Sequence, residues 1–130
     1  MNTREDLPAR RVGVRMPVKF KDAMGNETEY PVQFNFGESG RVIECFVSQD
    51  EARINKTGSQ FRAMMEDGCK AISRLLQYGD TMAQLAGYFG EDRPEGAQSG
   101  PPSSHFGAIA RAGAELDAVA QTCKDEKPGL

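Results

Sequence analysis

The sequence predicts an α+β domain: a three-stranded antiparallel meander followed by a long helix and two shorter helices packed on one face. Two observations carry this. Apolar residues alternate with period two between positions 12 and 47, then recur at intervals of three and four from position 59. Clusters of Gly, Asn and Ser fall between the periodic stretches, where turns need them.

Val12, Val14, Met16, Val18 and Phe20 take one face of a first strand, with Arg15, Lys19 and Lys21 on the other. Residues 22–26 (DAMGN) supply a turn, and alternation resumes at Tyr30, Val32, Phe34 and Phe36. After the turn at 37–40 (GESG), the β-branched and aromatic run Val42 to Val47 reads as a third strand. Residues 48–55 are polar and lead to the long helix. Ser59 suits its N-cap, and Phe61, Met64, Met65, Cys69, Ile72, Leu75 and Leu76 form the stripe that should cover the sheet.

Gly79 falls where a glycine would end that helix, and Asp80 can cap a short second one with Met82, Leu85 and Phe89 inward. Residues 90–104, rich in Gly, Pro and Ser, read as a loop or mobile linker. Ser103 or Ser104 can cap the last helix. Its stripe of Phe106, Ile109, Gly113, Leu116 and Ala120 is built largely of small residues and suits close packing on a helix of its own chain or a neighbour's. The organisation is thus an N-terminal arm (1–11), a single domain (12–122) containing the 90–104 loop, and a C-terminal tail (123–130). At 130 residues such a domain can bury a core without disulfides or metal.

A net charge of −3 counts against a surface given over to nucleic acid. The charge is uneven, however: residues 1–21 hold six Arg and Lys against Glu5 and Asp6. Cys45, Cys69 and Cys123 are widely spaced, with no C-x-x-C step and no Cys/His pairing, so neither a zinc site nor a dithiol shuttle is expected from them. They read as unpaired thiols of a reducing compartment. There is no long apolar run, and the N-terminus lacks the apolar core of a signal peptide, so a cytoplasmic protein without a membrane segment is expected.

His105 is the only histidine, which removes Ser-His-Asp, Cys-His and multi-histidine metal chemistry; it reads as a surface residue. No cofactor or metal is implied. Glu44, on a strand between apolar neighbours, is either a solvent-facing edge residue or a group beneath the helix N-terminus that helps line a site. The step Lys56-Thr57-Gly58-Ser59 is not a P-loop, because the lysine precedes its only glycine. It offers free N–H groups, a hydroxyl and an ammonium at a helix start, so it is either a plain helix cap or an anion site.

The order of these pieces adds a family resemblance. Glu44-Cys45-Phe46, then Lys56-Thr57-Gly58-Ser59, then a helix closing on Ser73-Arg74-Leu75-Leu76-Gln77-Tyr78-Gly79 resembles the TSCPD domain, found in the tail of cobalamin-dependent (class II) ribonucleotide reductases and in small stand-alone bacterial proteins. Leu7-Pro8-Ala9-Arg10-Arg11 and the Pro101 to Ile109 segment are similar to the ends of the stand-alone members, and the likeness spans residues 7–120. The chain departs from that pattern with Asn55 where the family has glycine. It also has Thr122-Cys123-Lys124-Asp125 in place of the naming sequence. It has no room for the reductase barrel or a cobalamin-binding region, so the resemblance implies no reductase activity.

What the resemblance implies is an accessory or interaction domain, not catalytic on its own, that binds a nucleotide or a ribonucleotide reductase. Lys56, Thr57, Gly58, Ser59 and Glu44 are its candidate ligand residues. A homodimer is expected, because one face of the sheet has no obvious cover and the last helix carries its small-residue stripe. The alternative is an independent nucleic-acid-binding module using the basic first strand, against which the overall acidity counts.

Overall fold

The computed structural model describes Arg4, residues 12–47 and residues 59–125, with backbone alone for Ser59 and residues 123–125. Strands β1 (Val12–Lys21), β2 (Glu27–Phe36) and β3 (Val42–Val47) pair antiparallel in the order β1-β2-β3. Helices α1 (Ser59–Gln77), α2 (Met82–Tyr88) and α3 (His105–Asp125) follow, with α1 packed along β3, α2 on α3, and α3 touching β1 and β3. The α+β meander read from the alternation is the observed fold. The last helix runs 21 residues against 19 for α1, and it continues through Cys123 into the stretch assigned to the tail.

Period-two alternation builds the sheet for a simple reason. Tyr30, Val32 and Phe34 on β2, Val18 and Phe20 on β1 and Cys45 on β3 share one face, and all are buried under the helices. The first half of β1 departs from the expected core: Val12 and Val14 share the inward face but stay 73% and 38% exposed. The known contact of α3 with β1 lies at the other end of the strand, where the His105 ring is 4.4 Å from Phe20.

Pro17 stands directly opposite Pro31. Neither offers an N–H, so this must be a pair that exchanges no hydrogen bonds, and the β1–β2 ladder carries both prolines without losing one.

Asn35 faces Glu44 while Phe36 faces Val42, leaving Ile43 as the extra residue of a β-bulge. The bulge lets Val42 and Ile43 both be fully buried.

The helix ends are set locally. Gly79, at φ 121°, closes α1 in a Schellman motif: its N–H donates to the Leu76 carbonyl (3.2 Å) and the Asp80 N–H to that of Leu75 (3.1 Å). Asp80 is thereby committed to the end of α1, and the cap of α2 falls one residue later than expected. Thr81 forms a capping box with Gln84. Ser104 caps α3 by accepting the Gly107 N–H at 3.1 Å.

Residues 90–104 close on themselves through a Glu91–Pro102 bridge, and Arg111 ties them to α3 by donating to the Gly100 carbonyl at 2.6 Å. The small-residue stripe of α3 is used within the chain: Gly113 receives the Met82 side chain, and Phe106 lies over Gly68 of α1.

Candidate functional site

Among the described residues the outer edge of β3 has no strand partner, and an edge strand leaves outward N–H and C=O groups at every second residue. Helix α1 satisfies them with a polar stripe spaced by four. Ser73 Oγ accepts the Cys45 N–H (2.9 Å) and donates to the Cys45 carbonyl (3.1 Å), while Gln77 Nε2 donates to the Ile43 carbonyl (3.3 Å). Cys69 accepts the Val47 N–H. Beyond the bulge, Asp117 of α3 accepts the Val42 N–H at 2.8 Å. Arg41 reaches the C-terminal end of α1, donating to the Leu76 and Asp80 carbonyls, each at 2.7 Å. Ser73, Gln77 and Gly79, which carried much of the family resemblance, are thus the residues that seat α1 on β3 and end it.

Along this seam runs a groove of about 730 Å³. Cys45 and Cys69 form part of its floor, Arg4, Lys70 and Arg74 supply cations, Glu44 and Glu66 carboxylates, and Phe46 a half-exposed ring. Arg4 Nε donates to Gln77 Oε1 at 2.7 Å. Arg74 lies over the Tyr78 ring, 5.3 Å from its centroid.

Glu44 is the sequence-named candidate that the structure places here. It sits on the sheet face turned away from the described helices, where Gln33 Nε2 donates to Asn35 Oδ1 (3.0 Å) and Asn35 Nδ2 to Glu44 Oε1 (2.6 Å). The face that no described helix covers therefore carries a hydrogen-bonded polar chain. Lys56, Thr57 and Gly58 lie outside the described residues. Ser59 opens α1, and its side chain also lies outside the description.

Two expectations are corrected by tertiary contacts. Cys45 and Cys69, 24 positions apart and read as widely spaced unpaired thiols, are each 2% exposed and meet each other across the β3–α1 seam. Both are free thiols. The Cys45 S–H, aided by the Val47 N–H, holds the Cys69 thiol below its ordinary pKa against the opposing effect of burial. The same contact, with burial, pushes Cys45 well up.

His105 is the second correction. It is half-buried, its Nδ1 2.8 Å from the Tyr30 hydroxyl, with its ring against Phe20, Tyr30 and Phe61. Burial raises the Tyr30 pKa far above its usual range, with the neighbouring Cys69 adding to the effect. Burial also lowers the pKa of His105, opposed by the Asp22 carboxylate.

A histidine whose folded pKa lies below its unfolded value binds fewer protons folded than unfolded, so its stabilising effect is present above the unfolded value and lost as pH falls. The melting temperature should hold between pH about 8 and 7 and fall once pH drops below about 6.5, the ordinary histidine value. Asp117, raised by burial, has the opposite sign and offsets acid loss only nearer the carboxylate range. His105→Phe, which keeps a ring against Phe20, should flatten the slope above the carboxylate range; an unchanged slope would remove His105 as its source.

The basic face of β1 is partly neutralised, since Lys19 lies 3.9 Å from Glu27 and 3.7 Å from Glu29 across the strand pair. Among the described residues no cluster of three His, Cys, Asp or Glu could hold a metal ion, and no helix is long and apolar enough to cross a membrane. Neither a protein-family model, nor a curated protein, nor a solved structure matches the chain.

Proposed function

We propose that the chain is a non-catalytic accessory domain of the TSCPD type, working in the cytoplasm beside a ribonucleotide reductase and binding a nucleotide in the β3–α1 groove. The supporting observation is the company the groove keeps. Three cations able to meet phosphates, a half-exposed Phe46 ring able to stack on a base and the Glu44 carboxylate line one seam. The elements that form it are those carrying Glu44-Cys45-Phe46 and Ser73 to Gly79. In sequence, Lys56-Thr57-Gly58-Ser59 leads into the same helix and is the proposed phosphate end of the site. The paired Lys19 speaks against the nucleic-acid alternative.

The test is calorimetric titration with nucleoside di- and triphosphates. Binding should weaken about tenfold, equivalent to about 1.4 kcal/mol, in Lys70→Ala, Arg74→Ala and Lys56→Ala with the fold intact. No heat and no melting shift for wild type at millimolar nucleotide would end this reading.

The domain is further proposed to act as a homodimer through the outer face of α1. There Met64, Leu75 and Tyr78 are 45%, 44% and 40% exposed, and a shallow cavity is lined by Ala71, Arg74, Leu75 and Tyr78. Light scattering should give twice the chain mass for wild type and the chain mass for Leu75→Glu. A monomeric wild type would exclude this arrangement.

A further inference from the structure

The geometry points to Cys45 and Cys69 as a peroxide-responsive dithiol that closes to a disulfide between β3 and α1. Three observations place the two sulfurs for it. Ser73 Oγ grips both backbone polar groups of Cys45, at 2.9 and 3.1 Å, and Cys69 lies one helical turn earlier on the same stripe of α1. The thiols are in hydrogen-bond contact with each other. Both border the groove, which gives a small oxidant a route to otherwise buried sulfur, and Lys70 and Arg74 stand on the same wall.

The roles differ by what each sulfur receives. Cys69 receives the Val47 N–H beside its contact with Cys45, and its pKa lies below the ordinary value; Cys45 receives the Ser73 hydroxyl, but its contact with Cys69 and its burial push it up, so Cys69 is the more readily ionised of the two. Its sulfur attacks the terminal oxygen of a hydroperoxide; the O–O bond breaks and the other oxygen leaves with a proton as water or an alcohol. Cys69 is then a sulfenic acid. Cys45 sulfur next attacks Cys69 sulfur, the S–O bond breaks, and the departing hydroxyl leaves as water with the Cys45 proton. Two thiols and one hydroperoxide become one disulfide, one water and one alcohol or second water. A thiol reductant reverses the change by exchange. The disulfide would fasten the groove floor across the seam that Ser73 and Gln77 hold by hydrogen bonds alone. This does not depend on what the groove binds.

Trypsin separates the three cysteines into peptides 42–53, 63–70 and 112–124, so the test needs no substitution. The native full chain is treated with hydrogen peroxide at about equimolar dose and quenched with catalase. Remaining thiols are alkylated in denaturant, and the chain is digested without reductant for mass spectrometry. The expected product is 42–53 joined to 63–70, released by dithiothreitol, with Cys123 alkylated. The same dose given to the chain in guanidinium should lose the preference for this pair. Three results would each overturn the proposal: full alkylation of both thiols after a tenfold excess of peroxide, a bridge made mainly through Cys123, or Cys69 carried to sulfinic acid without a bridge. Cys45→Ser should leave Cys69 trappable by dimedone as sulfenic acid, whereas Cys69→Ser should leave Cys45 unmodified at that dose. The reverse pattern would overturn the assignment of roles.

Discussion

Ser73→Ala is expected to lower stability by about 2–6 kcal/mol, since it leaves two buried backbone groups without partners at about 1–3 kcal/mol each. The Cys45 N–H and carbonyl both point out of the sheet, away from β2, and Ser73 Oγ is the partner of each, as acceptor and as donor. Ser73 is 7% exposed and Cys45 2%, so water is poorly placed to replace the hydroxyl. Urea titration should show a lower midpoint with an unchanged slope, the sign of lost stability without a change in the unfolded chain. Gln77→Ala should cost less, because its bond to the Ile43 carbonyl is longer, at 3.3 Å. If Ser73→Ala were neutral, the hydroxyl would not be what holds the edge of β3.

Gly68→Ala should destabilise by about 1–3 kcal/mol, the usual cost of overpacking, although Ala in place of a mid-helix Gly ordinarily gains about 1 kcal/mol. A Cβ on Gly68 would stand 2.1 Å from Phe106 Cζ and 2.3 Å from Cε1. An aromatic ring cannot yield as a flexible chain end does, so α1 and α3 would have to part. Gly87→Ala is the control, because a Cβ there meets nothing within 4 Å and should add up to about 1 kcal/mol. Gly113→Ala should fall between the two: its Cβ would press on Met82 at 2.6 Å, but that side chain can rotate. Midpoints of thermal or urea unfolding across the three variants test the order. A Gly68→Ala protein as stable as wild type would mean that α1 and α3 do not approach so closely.

Elements governed by short-range rules were legible. Strand alternation, the turns at Gly25 and Gly40, the cap at Ser104 and the Schellman glycine at Gly79 each depend on neighbours within a few positions. The small slip at Asp80 has the same origin: two adjacent helices compete for one residue, and the competition is decided only when the first helix has ended. Of the candidate site, Glu44 could be named because a lone carboxylate in an apolar strand stands out, yet its partner Asn35 could not. Cross-strand register decides that pair, and the bulge at Ile43 shifts the register.

The residues by themselves determined the α+β class, the strand order of a meander with tight turns and the amphipathic helix that must cover it. Burial of apolar area at fixed periodicity leaves few other solutions. Tertiary structure alone decided which polar groups meet. Cys45 and Cys69, Tyr30 and His105, Arg4 and Gln77, and Val42 and Asp117 are distant in sequence, and no local propensity refers one member of a pair to the other. Their meeting follows from how α1 and α3 lie against the sheet, with an edge strand whose outward backbone groups must find partners, and Ser73 and Gln77 are the side chains placed to supply them.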